Sequence, residues 1–302
     1  MSADAGRRAL LLTALSLPAL AFASGKTRSK PEPDLADGLA QLEQEHEVRI
    51  GVAALDLRDG RRLGHREGER FPMCSTFKLL LAAAVLARSV DDPALLPRRI
   101  AIAKSDLVAH SPVTETRLAE GMTVAELCEA TLQLSDNAAA NLLMKQIGGP
   151  EAVTAYARRL GDAVTRLDRW ETELNSAIPG DERDTTTPQA MLGNLRALFF
   201  GDALPVAQRR RLEAWIRGNQ TGAERIRAGV PKTWVVGDKT GSGAYGAVND
   251  IGVLWPPASE PILLAIYSTH DRADAKGRND VVARVAELVA QTLRRPAAIE
   301  RM

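Results

Sequence analysis

Ser75-Thr76-Phe77-Lys78 opens an apolar stretch of this chain, with serine and lysine three positions apart. If that stretch is helical, the spacing sets the lysine one turn beyond the serine and on the same face. A serine at a helix N-terminus sits among backbone N–H groups that lack intrahelical partners, which suits a developing oxyanion. A lysine that is partly desolvated, or close to another cation, can lose its proton and accept the serine's. The pattern alone decides little, because about one S-x-x-K arises by chance in a chain of this length at average usage. Two further groups are rarer, each expected roughly 0.1 times on the same basis. Ser135-Asp136-Asn137 follows a predicted helix and offers a hydroxyl and an amide side by side. Lys239-Thr240-Gly241 lies on a predicted strand, where lysine and hydroxyl can face a carboxylate and glycine lets a ligand approach the backbone. Between them, Glu171-Thr172-Glu173-Leu174-Asn175 places a carboxylate and an amide in an irregular segment. Nucleophilic catalysis by serine is the chemistry such a set could perform.

The elements that must carry these residues can be read from the hydrophobic pattern. Residues 48–57 read as a strand, Arg58-Asp59-Gly60 as a turn and 61–66 as a returning strand. From Ser75 to about Arg88 the pattern is a helix whose Leu79-Leu80-Leu81-Ala82-Ala83-Ala84 is apolar all round, which belongs in a core. Helices follow near 123–133, 137–147, 150–160, 188–200 and 205–217, interrupted by the polar segment Thr165 to Thr186. The strands 233–240, 248–255 and 261–269 and a helix at 277–294 close the chain. The fold class this predicts is α/β (α+β): an antiparallel sheet lobe from about 34–68 and 218–302, flanked by helices, with an all-helical lobe from about 69–217. No linker, repeat or low-complexity tract divides it.

Composition narrows the function classes. The 302 residues are 45% hydrophobic and 25% charged, as in ordinary globular proteins. Lys+Arg 39 against Asp+Glu 38 leaves a charge of +1 with no basic block, which argues against nucleic acid or an anionic membrane as partner. Two cysteines without C-x-x-C spacing, and His46, His65, His110 and His270 without paired spacing, give no metal site, and no cofactor is expected. Arg7-Arg8 followed by the short apolar run Ala9 to Ala23, ending in A-x-A, reads as a signal peptide over residues 1–23, leaving 24–302 as the mature domain. Both general and twin-arginine export fit that segment. The protein is expected in the periplasm or outside the cell, as a monomer without a membrane anchor. Gly241 to Gly246 matches G-x-G-x-x-G, but Ala247 to Trp255 reads as a strand, so a turn is expected there instead of a dinucleotide site.

The three motifs in this order are those of class A β-lactamases and penicillin-binding proteins. With the Glu171–Asn175 element added, the chain resembles a class A serine β-lactamase over essentially the whole mature sequence. The resemblance implies a penicillin-recognising fold and hydrolysis of β-lactams, with β-lactam substrates and inhibitors as the small-molecule partners. It implies Ser75 as nucleophile, Lys78 as proton acceptor or relay, and Ser135 as donor to the departing nitrogen. Asn137 would bind the substrate's side-chain amide, and Glu171, steadied by Asn175, would hold the deacylating water. Lys239, Thr240 and Ser242 would grip the carboxylate beside Gly241, and the N–H groups of Ser75 and Ser242 would form the oxyanion hole. Arg169 and Asp184 would close the family's Ω-shaped loop. Whether Lys78 or Glu171 takes the serine proton is disputed for the family.

Departures from better-known members matter too. Ala82 and Gly243 stand where family disulfides would pair with Cys128 and Cys74, so two free buried thiols are expected. Val248 replaces a carboxylate-steering arginine, and Arg225 is expected to substitute, with Arg227 as the natural control whose replacement should change kcat/KM little. His110 stands where the family often has a cleft-mouth aromatic; substrate contact and a solvated loop histidine both fit it. The rival readings are a slowly released D-Ala-D-Ala peptidase, which lacks the Glu171–Asn175 element, and a β-lactam sensor domain, which is tethered by membrane helices.

Overall fold

The computed structural model describes residues 35–295; the expected signal peptide lies outside them. The first half of the chain runs through α1 (Leu35–His46), β1 (Arg49–Asp56), β2 (Arg62–His65), β3 (Phe71–Pro72), α2 (Phe77–Asp91), β4 (Arg99–Ile100), β5 (Met122–Thr123), α3 (Val124–Gln133) and α4 (Asn137–Ile147). It continues through α5 (Pro150–Arg159), β6 (Thr185–Thr186), α6 (Pro188–Phe200), α7 (Val206–Arg217), α8 (Ile226–Gly229), β7 (Val235–Ser242), β8 (Val248–Trp255), β9 (Ile262–Thr269) and α9 (Asn279–Arg294).

Among the described residues, five strands form an antiparallel sheet in the order β2-β1-β9-β8-β7. Strands from both ends of the chain therefore interleave, with Arg49 opposite Thr269 and Asp56 opposite Ile262. Both faces of the sheet are covered. On β9 the alternation of side chains sends Leu263, Ala265 and Tyr267 to one core and Ile262, Leu264 and Ile266 to the other. The second core is roofed by α9 and by α1, a helix the sequence reading did not foresee although Leu35, Leu39 and Leu42 mark its buried face.

The first core is built around α2. Its residues Phe77 to Leu86 are all buried, as an all-apolar helix requires, and each fully buried leucine contributes about 1.5–3 kcal/mol. Ser75 lies not in the α-helix itself but in a 3₁₀ turn, Cys74–Thr76, that leads into it. A capping box fixes the start of α3: Thr123 Oγ1 accepts the Glu126 N–H at 3.2 Å, and Glu126 Oε2 accepts the Thr123 N–H at 2.6 Å. Asp136 caps α4, accepting the Ala139 N–H at 2.8 Å, and Gly148 ends that helix in the left-handed region at φ 106°. Ser135 is thus pinned just before a helix and Asn137 in its first turn. The segment 165–186 is irregular, as its composition implies, and folds back on itself between α5 and α6.

Candidate active site

The helix that carries Lys78 is buried on every side, so its ammonium lies wholly inside the protein. Burial pushes the Lys78 ammonium below the ordinary lysine value, and Glu171 works against that shift. Lys78 Nζ donates to Asn137 Oδ1 at 2.5 Å and to Ser135 O at 2.8 Å, and lies 2.9 Å from Glu171 Oε1. These contacts fill its three donors. Ser75 Oγ donates to the same Glu171 Oε1 at 3.3 Å. Nucleophile and ammonium therefore meet on one carboxylate oxygen.

The backbone around them is strained. Cys74, Ser135 and His110 have φ of 44°, 57° and 61°, a region that costs residues with a Cβ on the order of 1–3 kcal/mol. Asp136 helps to hold it: besides capping α4, its Oδ2 accepts the N–H groups of Val113 and Thr114 at 2.9 Å each.

Glu171 is set by its loop. Its Oε2 accepts Asn175 Nδ2 at 2.6 Å. Its backbone is clamped by Asn141, whose Oδ1 accepts the Glu171 N–H at 3.0 Å and whose Nδ2 donates to Glu171 O at 2.9 Å. Asn141 went unnoticed in the sequence, although it lies one helical turn beyond Asn137. Arg169 and Asp184 meet as expected at 2.6 Å, and Asp184 Oδ1 also accepts the N–H groups of Asp168 and Arg169 at 2.7 and 3.0 Å.

Strand β7 brings the third motif to the same place. Lys239 Nζ donates to Ser135 Oγ at 3.1 Å and to Thr240 O at 2.8 Å. Burial, reinforced by the cations of Lys78 and Arg225, holds its ammonium well below the ordinary lysine value. Beside it, burial raises the carboxyls of Asp238 and Asp250. A Cβ at Gly241 would stand 2.7 Å from Met73 O and 3.2 Å from Ser75 N, so only glycine lets β7 cross the nucleophile's turn this closely. At Gly243 a Cβ would stand 2.7 Å from both Cys74 Sγ and Asn175 O. Cys74 and Cys128 are free and buried, and burial pushes the Cys74 thiol up to about 12.

Arg225 is buried and reaches the cleft edge. Its guanidinium donates to Ser242 Oγ at 2.7 Å, Gly241 O at 2.8 Å, Asn249 O at 2.7 Å and Asn279 Oδ1 at 2.8 Å. Arg227, the control for Arg225, pairs with the fully buried Asp238 at 2.5 Å. His110 is exposed at the rim; its Nε2 lies 2.9 Å from Leu134 O, and its carbonyl accepts the Asn137 N–H at 3.0 Å.

One cleft of about 310 Å³ is lined by Ser75, His110, Ser135, Asn137 and Asn175 together with Arg225, Thr240, Gly241 and Ser242. Thr221, which the sequence reading did not select, lines it as well. Lys78, Glu171 and Lys239 lie buried among the groups that border it. A second cavity of about 320 Å³ lies behind the loop among Arg49, Arg70 and Arg169, but these arginines are already bound to Glu69, Val164 O and Asp184. Among the described residues no three His, Cys, Asp or Glu side chains converge as a metal site.

A buried serine–lysine–glutamate junction beside a sheet-borne lysine, on a fold of this topology, defines a serine acyl-transfer enzyme. The comparisons with known proteins agree. The "Beta-lactamase enzyme family" pattern matches residues 34–293. The β-lactamase OXY-2 of Klebsiella oxytoca is 48% identical over 95% of this chain and 98% of its own. A solved β-lactamase from Desulfarculus baarsii superposes with a TM-score of 0.85 at 55% identity, covering 87% of this chain and 98% of that one. A variant of the last common ancestor of Gram-negative bacteria β-lactamase class A gives a TM-score of 0.83 at 56% identity, covering 86% and 98%. The chain belongs to the β-lactamase enzyme family, among its class A serine enzymes.

Proposed function

We propose that this β-lactamase is exported by way of residues 1–23, acts as a periplasmic or secreted monomer, and hydrolyses penicillins and cephalosporins through a Ser75 acyl-enzyme, giving its host β-lactam resistance. The observation that carries the mechanism is the shared oxygen: Glu171 Oε1 lies 3.3 Å from Ser75 Oγ and 2.9 Å from Lys78 Nζ. Ser75 Oγ attacks the lactam carbonyl while its proton passes to the Glu171–Lys78 pair. The developing oxyanion is held by the N–H groups of Ser75 and Ser242, where donors aimed at new charge count most. Ser135, within reach of both Lys78 and Lys239, delivers a proton to the departing nitrogen. Lys239, Thr240 and Ser242 hold the substrate carboxylate, with Arg225 bracing Ser242 from behind. Asn137 and His110 border the substrate's side chain. The ester that results would inactivate the enzyme if it persisted. Glu171, steadied by Asn175, therefore activates the water that hydrolyses it. Export is supported by the Arg7-Arg8 start and the A-x-A ending of the leader; among the described residues no helix is long and apolar enough to cross a membrane.

A time course of intact mass after mixing with benzylpenicillin tests this reading. A transient adduct on Ser75, followed by prompt return of free enzyme, is expected. A lasting adduct would make the protein a slow peptidase or a sensor.

A further inference from the structure

Thr221 stands beside Thr240 in the cleft, and the direction of every proton between them can be counted. Asn219 Oδ1 lies 3.0 Å from the Thr221 backbone nitrogen, which can only donate, so the atom facing it is the amide oxygen. Asn219 Nδ2 in turn donates to the buried Asp238 at 2.9 Å. An amide oxygen only accepts. The Thr221 hydroxyl, 2.8 Å from the same Oδ1, must therefore spend its single proton there. Thr221 Oγ1 and Thr240 Oγ1 are 2.5 Å apart, and with the Thr221 proton committed, Thr240 is the donor. Gly222 lets this segment lie so close, because a Cβ there would collide with Asp238 Oδ2.

We propose that Thr221 is a positioning residue that sets the carboxylate affinity of the cleft: in the free enzyme it draws the Thr240 hydroxyl proton away from the place where substrate binds. The proposal rests on the reading of Lys239 and Thr240 as the carboxylate grip. A β-lactam carboxylate reaches the Thr240 proton only by turning that hydroxyl and leaving Thr221 Oγ1 without its donor. Thr221 thus weakens ground-state binding of carboxylate-bearing substrates, while the groups that break the lactam bond are untouched.

The test compares Thr221→Val, which keeps the shape and removes the acceptor, with Thr221→Ser, which keeps the acceptor. For benzylpenicillin, Thr221→Val should lower KM by about two- to tenfold, the worth of one net hydrogen bond, with kcat nearly unchanged. Thr221→Ser should keep the parent KM. With the methyl ester of benzylpenicillin, whose carboxylate is masked, Thr221→Val should have no effect on KM. An unchanged or raised KM for Thr221→Val, a Thr221→Ser variant that behaves like it, or an equal fall in KM with the ester overturns the proposal. If the parent turns penicillin over and only the Thr221→Val shift is missing, this inference fails alone. A parent that forms no Ser75 adduct overturns the functional reading and this inference together.

Discussion

The two walls that meet at Ser75 are held by different physics. Glu171 sits on an irregular loop whose position is fixed by side chains: Asn141 on its backbone, Asn175 on its carboxylate, and the Arg169–Asp184 pair at the loop's base. Lys239, Thr240 and Ser242 sit on β7, whose position is fixed by a continuous backbone ladder to β8 from Val235 to Ser242. The loop wall is neutralised at its tip, carboxylate against ammonium. The β7 wall is crowded with buried charge, with Lys239, Arg225, Asp238 and Asp250 all inside the protein. A loop held by side chains can lose one function and keep its shape, whereas on the charged wall a buried group stripped of its partner is left uncompensated.

The most direct way to isolate the loop wall is Glu171→Gln. The amide fits the same space but cannot accept a proton, so turnover should fall about 10²- to 10⁴-fold while the penicilloyl adduct accumulates on Ser75, as read by mass. A variant that never acylates would mean that Lys78 cannot take the Ser75 proton without the Glu171 carboxylate.

On the other wall, neighbouring arginines should separate. Arg225→Ala removes charge-assisted bonds at the cleft edge and should lower kcat/KM by about 10- to 150-fold. Arg227→Ala takes the cation from the buried Asp238 and should act chiefly on stability, by about 1–3 kcal/mol, read as a lower Tm. Equal losses of kcat/KM in the two variants would erase the distinction.

pH sharpens the comparison further. The Lys239 ammonium titrates below the ordinary lysine value, so in the free enzyme its charge, and with it the grip on carboxylate, is lost as pH rises through that depressed value. kcat/KM reports the free enzyme and should fall by about tenfold for each pH unit beyond that point. kcat should persist to higher pH, because a bound carboxylate favours the charged lysine. Alkaline limbs that coincide would contradict this.

The smallest effect concerns Cys74, which lies against Gly243 where the walls meet. Folded protein should react negligibly with a thiol reagent, and unreduced unfolded protein should titrate two thiols per chain. A count near zero would mean a disulfide.

Much of the catalytic set was legible because it is local. Ser75 to Lys78, Ser135 to Asn137 and Glu171 to Asn175 each lie within a turn of chain, and the resemblance supplied their mutual arrangement. Residues that act at a distance were harder to see. Asn141 matters only because a remote loop lands on α4, Thr221 because Asn219 leans on Asp238, and Arg227 because that same aspartate is buried. No spacing rule announces such contacts. In the fold, strands and helices with strong periodicity emerged within a few residues of their observed limits. α1 was missed because only Leu35, Leu39 and Leu42 mark its apolar stripe, among alanine, glycine and polar residues.

The sheet order carries a consequence for how the chain acquires its shape. β1, apolar on both faces, has β9 as its inner neighbour, and β7 is joined to β1 only through β8 and β9. Closing so wide a loop adds little to the equilibrium cost, which grows only logarithmically with length, but pairing strands so distant in sequence is slow. While β9 is missing, β1 exposes a long unpaired edge that can template association with another chain. α3, α4 and α5 follow α2 in the chain and pack on it, so this part can condense before the last strands are seated. Lys239 reaches Ser135 only after the last strands are seated, so enzymatic activity should appear late in refolding, after most of the helical signal has returned.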